Sequence, residues 1–346
     1  MNPDNDTQVH AIPLHRVAVV RPFVQFLESI GAPAEREFLR AGLPYHALDD
    51  ANNYVPSHRF REFIVRMVHS EGIEDLGFLV GYEFGADNAD PNMTRMLQRS
   101  PTLYSGLLKA SQLVNKTISD CTLSVRQPEN SDFTYFCIQP SCSADDPVTE
   151  QFSWFGVMSL IDMARVYTGP QWFPTEIGVI TGHSPGLSIR TTIPHTCIRS
   201  SQHYNYIAVE NRLLSLPPIT HQSRTSSSSL DQLVPLPHDF VSSLERALLS
   251  YAQSTDIDLD AAAELAHMSK RTMQRKLKDR GTRFSEVRDN ARYRSAIQML
   301  RDPVVKVADI AYRLGYSDTA HFSRAFKRIA GVSPRAFRQE NVESMH

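Results

Sequence analysis

The sequence predicts an α+β N-terminal domain followed by an all-α C-terminal domain with two helix-turn-helix units joined by a linker helix. Three observations carry this prediction. A helical spacing near the C-terminus recurs about forty-eight residues apart, which marks a duplicated supersecondary unit. Within residues 14–220 the apolar pattern changes from helical period to strand alternation and back, as an α+β domain requires. Between the two regions lies Thr225–Ser229, a low-complexity run with no means of packing.

Taken in order, residues 1–12 are expected to form a loose arm. Pro22 is expected to open a helix carrying Phe23, Phe26, Leu27 and Ile30, closed by Gly31. Pro33 opens another with Phe38 and Leu39, closed by Gly42. Ser57 caps a third, on which Phe60, Phe63, Ile64, Met67 and Val68 make an apolar stripe. Ser100-Pro101 reads as a cap followed by proline, opening a helix to about Asn115. Residues 118–126 and 132–139 are rich in β-branched and aromatic side chains and flank Gln127-Pro-Glu-Asn-Ser131, which reads as a hairpin. Val148–Thr168 is a long helix ended by Gly169-Pro170, and Glu176–Thr181 and Tyr206–Val209 read as strands. Leu216-Pro-Pro218 ends the domain, giving boundaries of 14–220, a Ser-rich linker over 221–238 and a helical domain over 239–340.

In the helical domain, Val241 to about Ala252 leads in as a helix. Ala262–Ser269 then matches Ile310–Ser317 in spacing, Met273 and Leu277 match Phe322 and Phe326, and Gly281 matches Gly331. In the second copy Ile310, Ala311 and Leu314 share a face, Gly315 ends the helix, and Ser317 or Asp318 caps the next. That helix buries Phe322, Phe326 and Ile329, and Pro334 opens a short final turn carrying Phe337. Phe284–Leu300 reads as one helix with Val287, Ala291, Ala296, Met299 and Leu300 inward. Such a strut is roughly 25 Å long, and it can set two recognition helices near one turn of DNA apart, about 34 Å.

The formal net charge of −2 hides an asymmetry, since residues 241–340 hold 19 Lys and Arg against 12 Asp and Glu. A basic block beside an acidic body points to a polyanion at the block alone. The N-terminus, Met-Asn-Pro-Asp-Asn-Asp, lacks the basic region and apolar core of a secretion signal, and no apolar run is long enough for a bilayer. Cys121, Cys137, Cys142 and Cys197 show neither zinc nor disulfide spacing, so free thiols in a reducing cytoplasm are expected.

Residues 258–338 resemble the DNA-binding domain of AraC/XylS-type transcription regulators. The resemblance rests on Ser269-Lys-Arg-Thr-Met-Gln-Arg-Lys-Leu277, on Arg292, Ala296 and Leu300, and on Leu314-Gly-Tyr-Ser-Asp318 through Gly331-Val-Ser-Pro334. Ser100-Pro-Thr-Leu103, Trp172-Phe-Pro174 with His183 and Pro185, and Asn211 before Leu216-Pro217 are similar to the arabinose-binding-type effector domain of one branch of that family. The resemblance implies a cytoplasmic regulator, an activator rather than a repressor, working as a homodimer. Its implied partners are operator DNA, a small-molecule effector and RNA polymerase.

Arg271, Gln274 and Arg275 fall on one face of the first recognition helix. Arg can hold guanine O6 and N7, and Gln adenine N6 and N7, and the family reads bases from these positions. Thr319, His321 and Arg324 occupy the corresponding face of the second unit, and Arg324 is its strongest base reader. Lys270, Thr272, Lys276, Ser317 and Lys327 are placed for phosphates, which position without reading sequence. The alternative is that these are solvated faces of ordinary helices, a reading that suits one basic helix better than a matched pair. His321 is either a pH-sensitive contact or a neutral surface histidine. His267 stands where the second unit has Gly315, so a left-handed backbone there would be strained.

For an effector, Phe133, Tyr135 and Trp154 could line an apolar pocket between hairpin and long helix, or simply pack the core. Strand alternation sets Phe133 and Tyr135 with Cys137, opposite Phe136. Arg126, Arg165 and Arg190 are available to a carboxylate, and nothing selects among them. The spacing of His183, His195 and His203 fits no compact metal site. The sequence carries neither a Gly-x-Ser-x-Gly elbow nor a phosphate-cradling glycine loop. No catalytic residue, metal or cofactor is therefore expected. Two rivals remain: a regulator whose N-terminal domain only dimerises, and an enzyme-like domain fused to a DNA-binding tail.

Overall fold

The computed structural model describes residues 11–84, 91–118, 121–219, 237, 239–252 and 257–343. The linker expected over 221–238, Pro237 apart, and most of the N-terminal arm lie outside those residues. In chain order the elements are β1 (Leu14–Arg16), α1 (Val17–Ser29), α2 (Ala34–Arg40), β2 (Tyr54–Pro56), α3 (Ser57–Glu71), α4 (Leu76–Glu83), α5 (Pro91–Gln98) and α6 (Leu103–Thr117). There follow β3 (Cys121–Arg126), β4 (Phe133–Pro140), α7 (Thr149–Thr168), β5 (Glu176–Gly178), α8 (Leu187–Thr192), β6 (Cys197–Arg199) and β7 (Asn205–Glu210). The tail holds α9 (Phe240–Tyr251), α10 (Leu259–Leu265), α11 (Lys270–Lys278), α12 (Phe284–Leu300), α13 (Val307–Arg313), α14 (Thr319–Ala330) and α15 (Pro334–Glu343).

The chain packs as two compact units. Among the described residues, one comprises His15–Ala41 and the chain from Phe60 to the end of the N-terminal region; the other comprises the tail from Pro237 together with Gly42–Arg59 and residues 11–14. Packing thus draws an eighteen-residue stretch of the N-terminal region to the tail.

In the first of these units the five-stranded sheet runs β3-β4-β7-β5-β6. The expected hairpin is present: β3 and β4 pair antiparallel, Arg126 opposite Tyr135 and Leu123 opposite Ile138. β5 and β6 pair parallel, the latter a strand too short for its alternation to be read. Phe136, Ile207, Val209 and Ile177 face α7 and join Trp154, Val157, Leu160 and Ile161 in one buried core. α4 crosses α7 so closely that a Cβ on Gly77 would lie 1.9 Å from the Gln151 carbonyl oxygen. Only glycine fits there, and its N–H donates to Gln151 Oε1 at 2.8 Å. Phe60, Phe63, Ile64 and Met67 are fully buried, as the stripe predicts.

Several boundaries differ from expectation. α1 begins at Val17 and carries Pro22 inside it, because Val17 and Val20 are fully buried and hold the first turns on the core across the proline. The cap of α6 is Thr102 rather than Ser100: Thr102 and Ser105 form a capping box, while Ser100 Oγ turns back to donate to the Met96 carbonyl at 3.0 Å. Leu39 is 53% exposed although Phe38 beside it is fully buried. Ile12, expected in a loose arm, is buried. The final turn at Pro334 is a helix of ten residues. The long helix and the strands at 176 and 206 stand close to where the pattern placed them.

Candidate nucleic-acid interface

Both helix-turn-helix units are present and are built alike. In the first, α10 and α11 meet at a turn where His267 N–H donates to the Glu264 carbonyl at 2.9 Å and Met268 N–H to that of Ala263 at 3.0 Å. In the second, Gly315 N–H donates to Tyr312 and Tyr316 N–H to Ala311, both at 3.0 Å. This reciprocal closure needs a left-handed residue at the helix end. Gly315 supplies it at φ 76° and His267 at φ 50°. Glycine adopts it freely, whereas the side chain of His267 makes it strained by about 1 kcal/mol.

Each recognition helix starts on a side-chain cap. Ser269 Oγ accepts from Thr272 N–H at 3.2 Å, and Asp318, not Ser317, caps α14, its Oδ1 accepting from His321 N–H at 2.6 Å. That bond to the helix end holds the Asp318 carboxyl below its usual range. Met273 and Leu277 are buried under α11, and Phe322 and Phe326 under α14. Ile329, expected inward, is 37% exposed, since the core beneath α14 ends with Phe326, Tyr293 and Phe337.

The linker helix α12 has the expected bounds, with Val287, Ala291, Ala296 and Leu300 buried and Met299 only partly so. Ion pairs from its middle turns tie it to its neighbours: Arg294 to Glu245 of α9 at 2.6 Å, and Asp289 to Arg328 of α14 at 2.5 Å. Arg338 of α15 donates to the Val305 carbonyl at 2.7 Å and the Leu300 carbonyl at 3.3 Å, clamping the α12–α13 corner. These ties join residues dozens of positions apart, and no local spacing announces them.

With the scaffold fixed, Arg271, Gln274 and Arg275 are exposed together on α11. On α14 His321 and Arg324 are exposed and Thr319 is half-buried at its start. The His321 ring meets Tyr316 edge-on at 5.5 Å. The residues expected at phosphates are more tied down. Lys270 Nζ lies 2.8 Å from Asp260 Oδ2, Lys276 Nζ lies over the Phe240 ring at 5.1 Å, and the Thr272 and Ser269 hydroxyls are 2.9 Å apart. Ser317 and Lys327 are exposed.

The three residues expected at an effector do not come together. Trp154 is 2% exposed and meets Phe78 edge-on at 5.8 Å. Phe133 and Tyr135 point to the opposite sheet face, because alternation sends Phe136 toward α7. On that outer face Tyr135 meets Tyr206 at 5.1 Å, and Arg126 stacks on Tyr204 at 4.5 Å. His183 faces Glu150, Nδ1 to Oε2 2.9 Å, a carboxyl whose pKa burial raises.

Duplicated helix-turn-helix units with basic outer faces, in one chain with an α+β unit, define a DNA-binding transcription regulator. Comparison with known proteins agrees. The arabinose-binding domain of AraC transcription regulators, N-terminal, matches residues 31–217, and a helix-turn-helix domain matches residues 262–340. The chain belongs to the AraC family of transcription regulators. It is 37% identical over 82 residues to the ornithine utilization regulator of Pseudomonas aeruginosa, a match covering 24% of each chain. It is 40% identical over 85 residues to the transcriptional activator RhaS of Escherichia coli, covering 24% of this chain and 31% of RhaS. Both matches span less than a third of the relatives' length. Among solved structures, the transcriptional regulator CdpR of Pseudomonas aeruginosa is similar over 92% of this chain and 97% of its own, at 17% identity and a TM-score of 0.40. Among the described residues no helix is long and apolar enough to cross a membrane.

Proposed function

We propose that the chain is a sequence-specific regulator, an activator of transcription, whose affinity for operator DNA answers to a small molecule bound by residues 14–220. Residues 239–340 are its DNA-reading domain and 221–238 its linker. Arg271, Gln274 and Arg275 read bases for the first unit and Thr319, His321 and Arg324 for the second. Lys270, Thr272, Lys276, Ser317 and Lys327 serve phosphates, Lys270 and Lys276 by exchanging Asp260 and the Phe240 ring for the duplex. The protein acts in the cytoplasm as a homodimer and contacts RNA polymerase, with no chemistry of its own. The effector acts by shifting the population of DNA-competent arrangements.

One observation supports this reading above the others: two exposed basic helices stand at matched positions on a duplicated scaffold, where a single basic face would mean little. Selection of duplexes from random-sequence DNA by the full chain tests it. A selected duplex should carry two half-sites about one helical turn apart. Arg275→Ala and Arg324→Ala should each weaken it by about 1–3 kcal/mol while hardly touching random DNA. No enriched sequence would end the proposal, and equal losses on both DNAs would move the residue concerned to the phosphates. A metabolite panel read by thermal shift tests the effector, since a ligand at 100 times its Kd adds about 2.7 kcal/mol.

A further inference from the structure

Residues 42–59 lie in the N-terminal region, yet they pack with the DNA-reading unit. The grip is specific. Ser250 on α9 is buried, and its Oγ donates to the Tyr54 carbonyl at 2.6 Å while accepting the Tyr54 N–H at 3.2 Å. One hydroxyl thus closes both backbone groups of a buried strand residue. Tyr251 of α9 donates through its hydroxyl to the Gly42 carbonyl at 2.9 Å, tying down the start of the segment. Arg246 of α9 lies over the Tyr54 ring at 5.6 Å, and His46 hydrogen-bonds to the Ser250 backbone.

The end of the segment reaches the first helix-turn-helix. The His58 ring lies 5.2 Å from that of His267, tilted by 40°, and Arg59 Nη2 lies 3.7 Å from Glu264 Oε2 on α10. His267 is the strained turn residue directly ahead of the first recognition helix, at the place where the second unit has glycine. A residue kept in a costly conformation implies that its side chain has a use there. A glycine would hold the turn without strain but would offer His58 no ring.

We propose that residues 42–59 form a positioning strap of the DNA-reading unit, in which His58, through His267, sets the orientation of α11. The first half-site is then read through a contact that the second unit lacks. The chain leaves the strap within α3, whose residues from Phe60 onward belong to the other unit, so the strap is also a covalent route between the two. The proposal rests on the DNA-reading function stated above.

The test uses the full chain and the duplex it selects from random DNA. His58→Ala should weaken that duplex on the order of two- to tenfold, the range of a single ring contact. The penalty should vanish when the half-site of the first unit is scrambled, and should persist when the other half is scrambled. His58→Phe, which keeps a ring, should restore affinity. His267→Gly should weaken the duplex like His58→Ala despite a relaxed turn, and the double variant should lose no more than either single one. Equal penalties on both scrambled duplexes, no penalty at all, or additive losses would overturn the strap. A wild-type chain that selects no duplex would overturn the DNA-reading function as well, which separates the two failures.

Discussion

Gly315→Ala isolates the energetic role of the left-handed turn. The residue sits at φ 76°, where an L side chain costs about 1 kcal/mol. The new Cβ would lie 3.2 Å from Arg292 Nη2. That atom ends a long side chain and can withdraw, but the Arg292 guanidinium also stacks on Tyr316 at 5.3 Å. Weakening the stack forfeits up to about 0.5–1 kcal/mol, so the sum is about 1–2 kcal/mol. Two probes can localise the loss. The chain has two tryptophans, Trp154 and Trp172, and both belong to the unit containing the five-stranded sheet. Their emission follows that unit, while far-UV circular dichroism follows helices everywhere. With a urea m-value of about 1–3 kcal/mol/M, the dichroism midpoint of the tail should fall by roughly 0.3–2 M, and the tryptophan midpoint should stay. A dichroism midpoint that is unchanged or higher would refute the argument, because the strain would then be absent or relieved elsewhere.

Three further outcomes follow from the geometry. Asp318 holds its proton less readily than an ordinary carboxylate because it accepts the His321 N–H; its contribution is therefore complete above the ordinary range and drains as pH falls below about 4. Asp318→Asn should flatten the acid limb of stability, and an unaltered limb would show that the charge is irrelevant to the cap. Burial pushes the Cys137 thiol up to about 11, against the opposing pull of Arg126 and Ser124, whereas Cys197 is exposed. The fold favours the neutral Cys137 thiol, a contribution present below its unfolded range and lost as pH rises through about 11. At mildly alkaline pH iodoacetamide should label Cys197 well before Cys137, and equal rates in the native protein would contradict the burial. Lys327→Ala should weaken selected and random duplexes alike and reduce the salt slope by about 0.9; an unaltered slope would remove it from the phosphates.

How much the sequence revealed depended on the range of each interaction. The linker helix Phe284–Leu300, the hairpin and the two recognition helices rest on local period and could be read, whereas the choice of Asp318 over Ser317 as a cap needed the structure. Pro22 misled because the helix start was decided by burial of Val17 and Val20 rather than by propensity. Ser100 misled because two capping hydroxyls stood two residues apart and only tertiary placement chose Thr102. The alternation that sets Phe133 and Tyr135 opposite Phe136 could be read from the strand, but which of the two faces meets α7 and Trp154 is decided by tertiary packing, and it is the face of Phe136.

His267 shows where local reasoning stops and what it still delivers. Comparing the two copies was enough to mark the position as anomalous, because a duplicated turn should solve one backbone problem in one way. What the comparison could not supply was the reason, since His58 stands more than two hundred residues earlier in the chain. The structure puts its ring 5.2 Å from that of His267, and the anomaly then has a partner. The second copy closes its turn with Gly315 and keeps α14 in place through its own clamps, Arg328 to Asp289 and Arg338 to the α12–α13 corner. The two copies therefore share a fold but differ in what orients them: α14 is held from within the tail, and α11 is held in part by a segment that the tail alone does not contain.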